Sequence, residues 1–341
     1  MPEGDAVRRL AGTLDELFVG GIVSASSPQG RFASSAALLD GWVMQRVRVH
    51  GKHMFIGFVP PTPGETYEAG VSLLEGAAAG SGEPILPEDA PWPDRWVHIH
   101  LGLYGWWRFN GDETVVDEGH GVAHRIPNVP KGEWNGHSET RWGEVKAGEW
   151  EPPEPVGAVR LRLFNDHAVA DLVGPNRCDL ITDEERVKAE SKLGPDPLDA
   201  GARSDVEAME RFAQVAHSKK RAIGEIVMDQ SIIAGVGNIY RADALFLAGI
   251  SPHRKGANIS IKRLRELWVL ICDLMNRGLA AGRLDTMDPE EAPNPPIEGD
   301  EEASRWYVYH RTDRPCLRCS TPIREALMQN RRLFWCPSCQ R

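Results

Sequence analysis

Four cysteines near the C-terminus constrain this chain more than any other feature. Cys316-x-x-Cys319 is followed by sixteen residues and then by Cys336-x-x-Cys339. Two pairs at this spacing fit one tetrahedral zinc site, each pair supplying two thiolates from one knuckle. A redox pair is the alternative that spacing leaves open. With zinc bound, protein fills all four coordination positions. The metal is then structural and stabilises a hairpin too small to build its own core. Arg314, Arg331 and Arg332 lie on or beside that hairpin. Arginine on a small rigid element suits phosphate binding, and a solvated basic surface is the bland counterpart.

The rest of the chain sets the scale. Its 341 residues predict two or three compact units. An apolar fraction of 41% and a charged fraction of 26% belong to a globular protein, not a collagenous, coiled-coil or wholly disordered one. No stretch approaches the roughly 18 apolar residues of a membrane span. The start, MPEGDAVRRL, has charges where a signal peptide has an apolar core. A cytoplasmic protein is expected, with its cysteines reduced or bound to metal. Net charge is −10, which on its face speaks against nucleic acid. Its distribution changes that reading. Residues 61–94 carry seven acids and no Lys or Arg, residues 111–155 ten acids and four bases, and residues 285–302 eight acids and no base. These three segments hold −21, which leaves +11 on the remainder. A basic body with acidic insertions is a candidate for phosphate binding, because local field matters more than total charge.

Residues 2–20 predict a helix, with Val7, Leu10, Leu14, Leu17 and Phe18 in one apolar stripe. WVMQRVRVH, HMFIGFV, WVHIHLGLYGWWRF, VRLRLFNDHAVADLV and CDLIT predict strands. Several strands with turn signals suggest a β-sandwich or barrel. Segments 61–94 and 111–155 predict surface loops inserted into it. TDEERVKAESKL reads as a helix, residues 204–281 are mostly helical, and 285–303 reads as an acidic, Pro-rich linker. The expected domains are 1–195, 204–284 and 305–341.

The segment SKKRAIGEIVMDQSIIAGVGNIYRADALFLAGISP has a helical stripe at Ile223, Ile226 and Val227, then Gly235-Val-Gly237-Asn238, then a second helix from about Ile239. Asn238 is a good N-cap for that helix. Backbone N–H groups at a helix start, reached through glycines, form an anion site, and Lys219, Lys220 and Arg221 add charge nearby. A dinucleotide fingerprint is the rival, but no strand precedes the glycines and the third glycine is missing. A purely structural pair of caps is the plain alternative.

Pro2 follows the initiator Met. Removing Met1 would expose a secondary amine. An α-amino group titrates near 7.7–8.0, against about 10.4 for lysine. More of it is neutral at physiological pH, and a neutral amine can attack a sugar carbon to form an iminium. Glu3 beside it is placed to move protons. Proline and glutamate are also ordinary first-turn residues of a helix. Lys52, in Gly51-Lys52-His53, sits at a strand turn, where a lone lysine is ordinarily solvated. His98 and His100 share one strand face, and such a pair without a third ligand is ordinarily structural.

In order, Pro2-Glu3-Gly4, Gly51-Lys52-His53, the segment 218–251 and the closing four-cysteine finger resemble the formamidopyrimidine-DNA glycosylase/endonuclease VIII family. The resemblance covers nearly the whole chain and is closest to actinobacterial endonuclease VIII-like proteins. It implies an α+β multidomain fold: an N-terminal helix plus a two-sheet β-sandwich, a helical helix–two-turns–helix domain, and a C-terminal zinc finger. It implies a monomeric bifunctional glycosylase and AP lyase of base-excision repair, acting on damaged double-stranded DNA and associated with the nucleoid. Pro2 would be the nucleophile at C1′, with strand cleavage by β,δ-elimination. Glu3 would move the proton at the sugar ring oxygen, and Lys52 would contact DNA beside the lesion and assist catalysis. Asn238 and Arg331 would hold phosphate around an everted nucleotide. One structural zinc would be bound by Cys316, Cys319, Cys336 and Cys339.

Pro-Glu-Gly resembles the endonuclease VIII branch, as does His100-Leu-Gly-Leu103-Tyr104-Gly105. Leu103 and Tyr104 would be the wedge that fills the gap left by the flipped base; the alternative is sheet-core packing. Oxidised pyrimidines are then the expected substrates. The sequence departs from the family at Ala6, where many members carry a glutamate, and in its acidic insertions. A damage-binding protein with little catalysis, and a glycosylase preferring 8-oxoguanine or formamidopyrimidine, are the alternative functions.

Overall fold

The computed structural model describes residues 2–64, 92–112 and 150–341. Most of the acidic segments 61–94 and 111–155, expected as loops, lies outside the described residues, as does Met1. Contacts divide the chain into two units: Pro2 with Ala6–Ser191, and Glu3–Asp5 with Lys192–Arg341.

The first unit holds most of helix α1 (Gly4–Phe18), then β1 (Ile22–Ser26), α2 (Ala33–Leu39), β2 (Trp42–His50) and β3 (His53–Val59). After these come β4 (Arg95–His100), β5 (Trp106–Gly111), β6 (Val159–Phe164), β7 (Ala168–Val173), β8 (Arg177–Thr182) and α3 (Asp183–Glu190). The strand order is β5-β7-β6-β1-β2-β3-β4-β8. All pairs are antiparallel. Strand β1 belongs to both halves: Ile22 and Val23 pair with β2, whereas Ser24, Ala25 and Ser26 pair with β6. This produces the two sheets of a sandwich.

Between them lies one apolar cluster in which Val7, Leu10, Leu14 and Phe18 of α1 meet Met44, Ile56, Val97, Leu161 and Leu172. The predicted helical stripe is therefore the face that packs, and each such side chain contributes about 1.5–3 kcal/mol by leaving water. In β2, Val47 is buried and Val49 packs against the same cluster, while Arg46 and Arg48 are half-buried. Helix α3 begins at a capping box: the Thr182 hydroxyl accepts from Glu185 N–H, and the Glu185 carboxylate accepts from Thr182 N–H.

The second unit contains α4 (Val206–Ser218), α5 (Ile223–Ile226), α6 (Asn238–Leu247) and α7 (Ile261–Ala280), followed by the hairpin β9 (Arg324–Met328) and β10 (Arg331–Trp335). Asp205 and Ser260 cap α4 and α7 through their side-chain oxygens. Phe212, Ile226, Tyr240, Leu267, Trp268 and Ile271 anchor the helical core. A second cluster joins Phe246 of α6 to Tyr307, Ile323 and Phe334 near the finger. The 285–303 segment, read as a linker, takes part in this packing: Asp300 forms a buried ion pair with Arg311 at 2.9 Å. Among the described residues no helix is long and apolar enough to cross a membrane.

Candidate active site

In the second unit the site is built around the turn before α6. Gln230 staples that turn: its Oε1 accepts from Gly235 N–H at 2.9 Å, and its Nε2 donates to the Val236 carbonyl at 3.0 Å. The N-terminal segment docks on it, Gly4 N–H donating to the Gly235 carbonyl at 3.0 Å. The Glu3 carboxylate is 1% exposed. It accepts from Gly237 N–H at 2.8 Å and from Ile239 N–H at 2.9 Å. Glu3 thus performs the work of an N-cap from 234 positions away. A Cβ at 237 would lie 2.3 Å from Glu3 Cδ, so Glu3 keeps this position only beside glycine.

This arrangement corrects the expected cap. Gly237, with extended backbone, is the N-cap of α6, and Asn238 is its first residue. Asn238 thus lies one position inside the helix, where its side chain no longer caps, and it turns elsewhere. Its Nδ2 donates to the Arg332 carbonyl at 2.9 Å, and its Oδ1 accepts from Arg241. The Tyr309 phenol lies close enough to Asn238 and Glu3 to feel both electrostatically. Burial, and next the Glu3 charge, push that phenol up to about 12.

Arg331 opens β10, directly after a two-residue turn in which Gln329 and Asn330 have φ of 50° and 57°. Such a turn matches the right-handed twist of the strands and places Arg331 at the hairpin tip. Its neighbour Arg332 is committed differently, gripping Glu325 through Nε at 2.6 Å and Nη2 at 2.7 Å. That grip, with the Thr312 hydroxyl, holds Glu325 down at about 2.

The four cysteine sulfurs lie within 4.8 Å of one another. Cys316 and Cys339 Sγ are 3.9 Å apart, and Cys319 and Cys336 Sγ 3.4 Å. A tetrahedron with Zn–S near 2.3 Å has S···S edges of about 3.8 Å. All six cysteines are free thiols, and Cys339 N–H points at Cys336 Sγ at 3.4 Å. The donor set fits a closed metal site.

In the first unit Pro2, Val7, Lys52, His100, Leu101 and Gly102 line one cleft. Lys52 is 8% exposed and therefore not the solvated lysine of the plain reading. It occupies the β2–β3 turn, opposite which His50 pairs with His53. Gly51, at φ 59°, is the first central residue of that turn, a position that favours glycine. Leu103 and Tyr104 are 44% and 74% exposed at the turn between β4 and β5, a turn closed by Gly105 N–H donating to the Leu101 carbonyl at 3.0 Å. Core packing, the alternative for these two, is excluded by their exposure. Ala6 is buried and contributes no polar group.

Beside the cleft stands a histidine row. His53 pairs across the ladder with His100, and His98 lies diagonally from it. His53 Nδ1 and His98 Nε2 are 2.8 Å apart, and Arg177 Nη1 is 3.3 Å from His98 Nδ1. Arginine only donates. His98 Nδ1 is therefore the acceptor, and His98 Nε2–H donates to His53. Burial, followed by the neighbouring cations and imidazoles, lowers His53 to about 3 and His98 to about 4. Burial and then Lys52 also lower His100. His98 and His100 join no group of three or more metal-ligating side chains among the described residues.

Sequence reasoning overlooked Arg241 and Tyr309. Arg241 was detectable in principle, because it follows Asn238 by three residues on one helix face. No local signal marks Tyr309.

Residues 193–288 match the formamidopyrimidine-DNA glycosylase H2TH domain. Over 340 residues the chain is 35% identical to Endonuclease 8 1 of Mycobacterium tuberculosis, covering 100% of both chains. It is also 35% identical to the formamidopyrimidine-DNA glycosylase of Solibacter usitatus over 160 residues, 46% of this chain and 56% of that one. Lactococcus lactis Fpg, solved non-covalently bound to DNA containing an AP site, superposes with a TM-score of 0.64 at 17% identity over 99% of each chain. Thermus thermophilus MutM (Fpg) superposes with a TM-score of 0.61 at 20% identity, over 99% of this chain and 98% of that one. At these identities the structural likeness is one of fold.

Proposed function

The chain belongs to the formamidopyrimidine-DNA glycosylase/endonuclease VIII family, and on that premise we propose how it works as a DNA glycosylase and AP lyase of base-excision repair. Its substrate is damaged double-stranded DNA, and oxidised pyrimidines are excised in preference to oxidised purines. With Met1 removed, the neutral Pro2 amine attacks C1′ as the glycosidic bond breaks, and the bonding pair leaves with the base. Loss of the amine proton and opening of the sugar ring give an iminium between Pro2 and C1′. Glu3 transfers the proton at the ring oxygen. Abstraction of a C2′ proton then expels the 3′-phosphate, and a second elimination releases the 5′-phosphate.

Lys52 acts beside the lesion, and Asn238 and Arg331 hold the flanking phosphate. Leu103 and Tyr104 fill the space of the everted base. Zinc is the metal for the four thiolates, where it supplies rigidity to the finger and no chemistry. The protein acts as a monomer in the cytoplasm.

The observation that carries this reading most is the Glu3 carboxylate, buried and fixed by two backbone N–H groups at the glycine turn. A glutamate in the first turn of an ordinary surface helix would be solvated. Its covalent neighbour Pro2 lines the cleft that also holds Lys52. The test is borohydride trapping on an abasic duplex. The protein should become covalently attached through residue 2, and Glu3→Gln should nearly abolish base excision while binding survives. Efficient trapping by protein that mass spectrometry shows to retain Met1 would refute the assignment, because an amide nitrogen forms no iminium.

A further inference from the structure

Arg241 is the least expected residue of the second unit. It is an arginine on α6 that is 1% exposed. Its Nη2 donates to Asn238 Oδ1 and, at 3.0 Å, to the Arg332 carbonyl. Asn238 Nδ2 donates to that same carbonyl. Guanidinium, amide and carbonyl thus form a closed triangle joining α6 to the finger strand β10. The triangle has one orientation. Because a guanidinium only donates, the amide must turn its oxygen toward Arg241 and its nitrogen toward the hairpin.

The cost of this arrangement is visible. Arg241 Nε and Nη1 are buried and have no hydrogen-bond acceptor among the described residues. Burial, and next the nearby Arg331, draw the guanidinium down to about 10, with Glu3 opposing. A buried cation with unfilled donors, facing a second arginine, is destabilising by itself. An anion arriving at Asn238 and Arg331 relieves that repulsion, and a DNA phosphodiester is such an anion.

We propose that Arg241 is a positioning residue of the phosphate clamp, setting the Asn238 amide and tying β10 to α6 so that Asn238 and Arg331 face one phosphodiester. The inference rests on the clamp assigned above to Asn238 and Arg331. Arg241 itself touches no DNA and acts through Asn238 and the Arg332 carbonyl.

The test uses full-length protein and a duplex carrying a stable abasic analogue, titrated by fluorescence anisotropy at several salt concentrations. Replacing a buried, incompletely paired charge by an apolar chain of similar length is often neutral or stabilising. Arg241→Met should therefore melt no lower than the parent, yet bind about 10- to 100-fold more weakly, the loss expected of one charge-assisted hydrogen bond. Its salt slope should be unchanged, since no phosphate contact is removed directly, whereas Arg331→Ala should lower the slope by about one unit. In an Asn238→Ala background, Arg241→Met should add little further loss. Should Arg241→Met fail to fold, Arg241→Lys keeps the charge without the two-acceptor geometry and should show the same weakening at the same slope.

Normal affinity in the Arg241 variant, with Asn238→Ala impaired, overturns the positioning role and leaves the clamp standing. A lower melting temperature with affinity loss matched to the unfolded fraction overturns it as well. Normal binding by both Asn238→Ala and Arg331→Ala overturns the clamp itself.

Discussion

Gly237→Ala is the sharpest perturbation the structure offers, because its effect follows from a single contact. The added Cβ would stand 2.3 Å from Glu3 Cδ and 2.6 Å from both Cγ and Oε1. Ordinary contacts begin near 3.4 Å, so the carboxylate must retreat by about 1 Å or swing away, and either movement breaks the bonds at 2.8 and 2.9 Å. Charge-assisted hydrogen bonds contribute about 1.5–3 kcal/mol each. Losing both should cost about 3 kcal/mol or more of stability, read by chemical denaturation. A catalytic group displaced by this distance typically costs about 10²-fold in rate. Single-turnover excision of thymine glycol from a duplex should fall by that order. The discriminating background is Glu3→Ala, which removes the atoms that clash. There, Gly237→Ala should cost under about 0.5 kcal/mol, the scale of an unremarkable substitution. Wild-type excision by Gly237→Ala, or an undiminished stability cost in the Glu3→Ala background, would refute the claim that this glycine exists to admit Glu3.

Four other outcomes are expected. Cys336→Ser should lose the one metal ion per chain, measured by elemental analysis, together with DNA affinity; normal lesion binding by the metal-free variant would remove the finger from the clamp. Replacing Leu103 and Tyr104 with Ala should slow excision from duplex much more than abasic-site cleavage in single strands, where no stack has to be broken. Matched duplexes should show thymine glycol or dihydrouracil excised faster than 8-oxoguanine, because ring-saturated pyrimidines have lost planarity and stack worst; preference for 8-oxoguanine opposite cytosine would reverse the branch assignment. The histidine row should make folding acid-sensitive. His53 and His98 sit at about 3 and about 4 in the folded chain, against 6.5 ordinarily, so between those values the unfolded state binds more protons. Stability from this source is fully present above about pH 6.5 and is lost as pH falls toward 4. His98→Gln should reduce that slope by about one proton, and an unchanged slope would mean other groups cause it.

Features set by neighbours in the chain are legible in the sequence itself. The cysteine spacing, the apolar stripe of α1, the alternation around Val47 and Val49 and the glycines at 235 and 237 all express local constraints. A metal tetrahedron, a 3.6-residue period, a pleat and a tight turn each impose their pattern over a few residues. The family resemblance also marks Pro2, Glu3, Lys52, Asn238 and Arg331 as one set. What the sequence leaves illegible depends on atoms distant along the chain. Alternation does not say whether Leu103 and Tyr104 face core or solvent, since both fit a strand end. Asn238 satisfies every local rule for a helix cap, yet the helix is capped at Gly237 with Glu3 accepting from Gly237 and Ile239 N–H, and the amide is turned to the finger instead. Glu3 looks like a solvated first-turn acid until α6 is brought against it. Arg241 looks like a surface cation until β10 covers it. Burial is a property of the packed chain, and it converts these ordinary polar side chains into an oriented set by removing water as their competing partner.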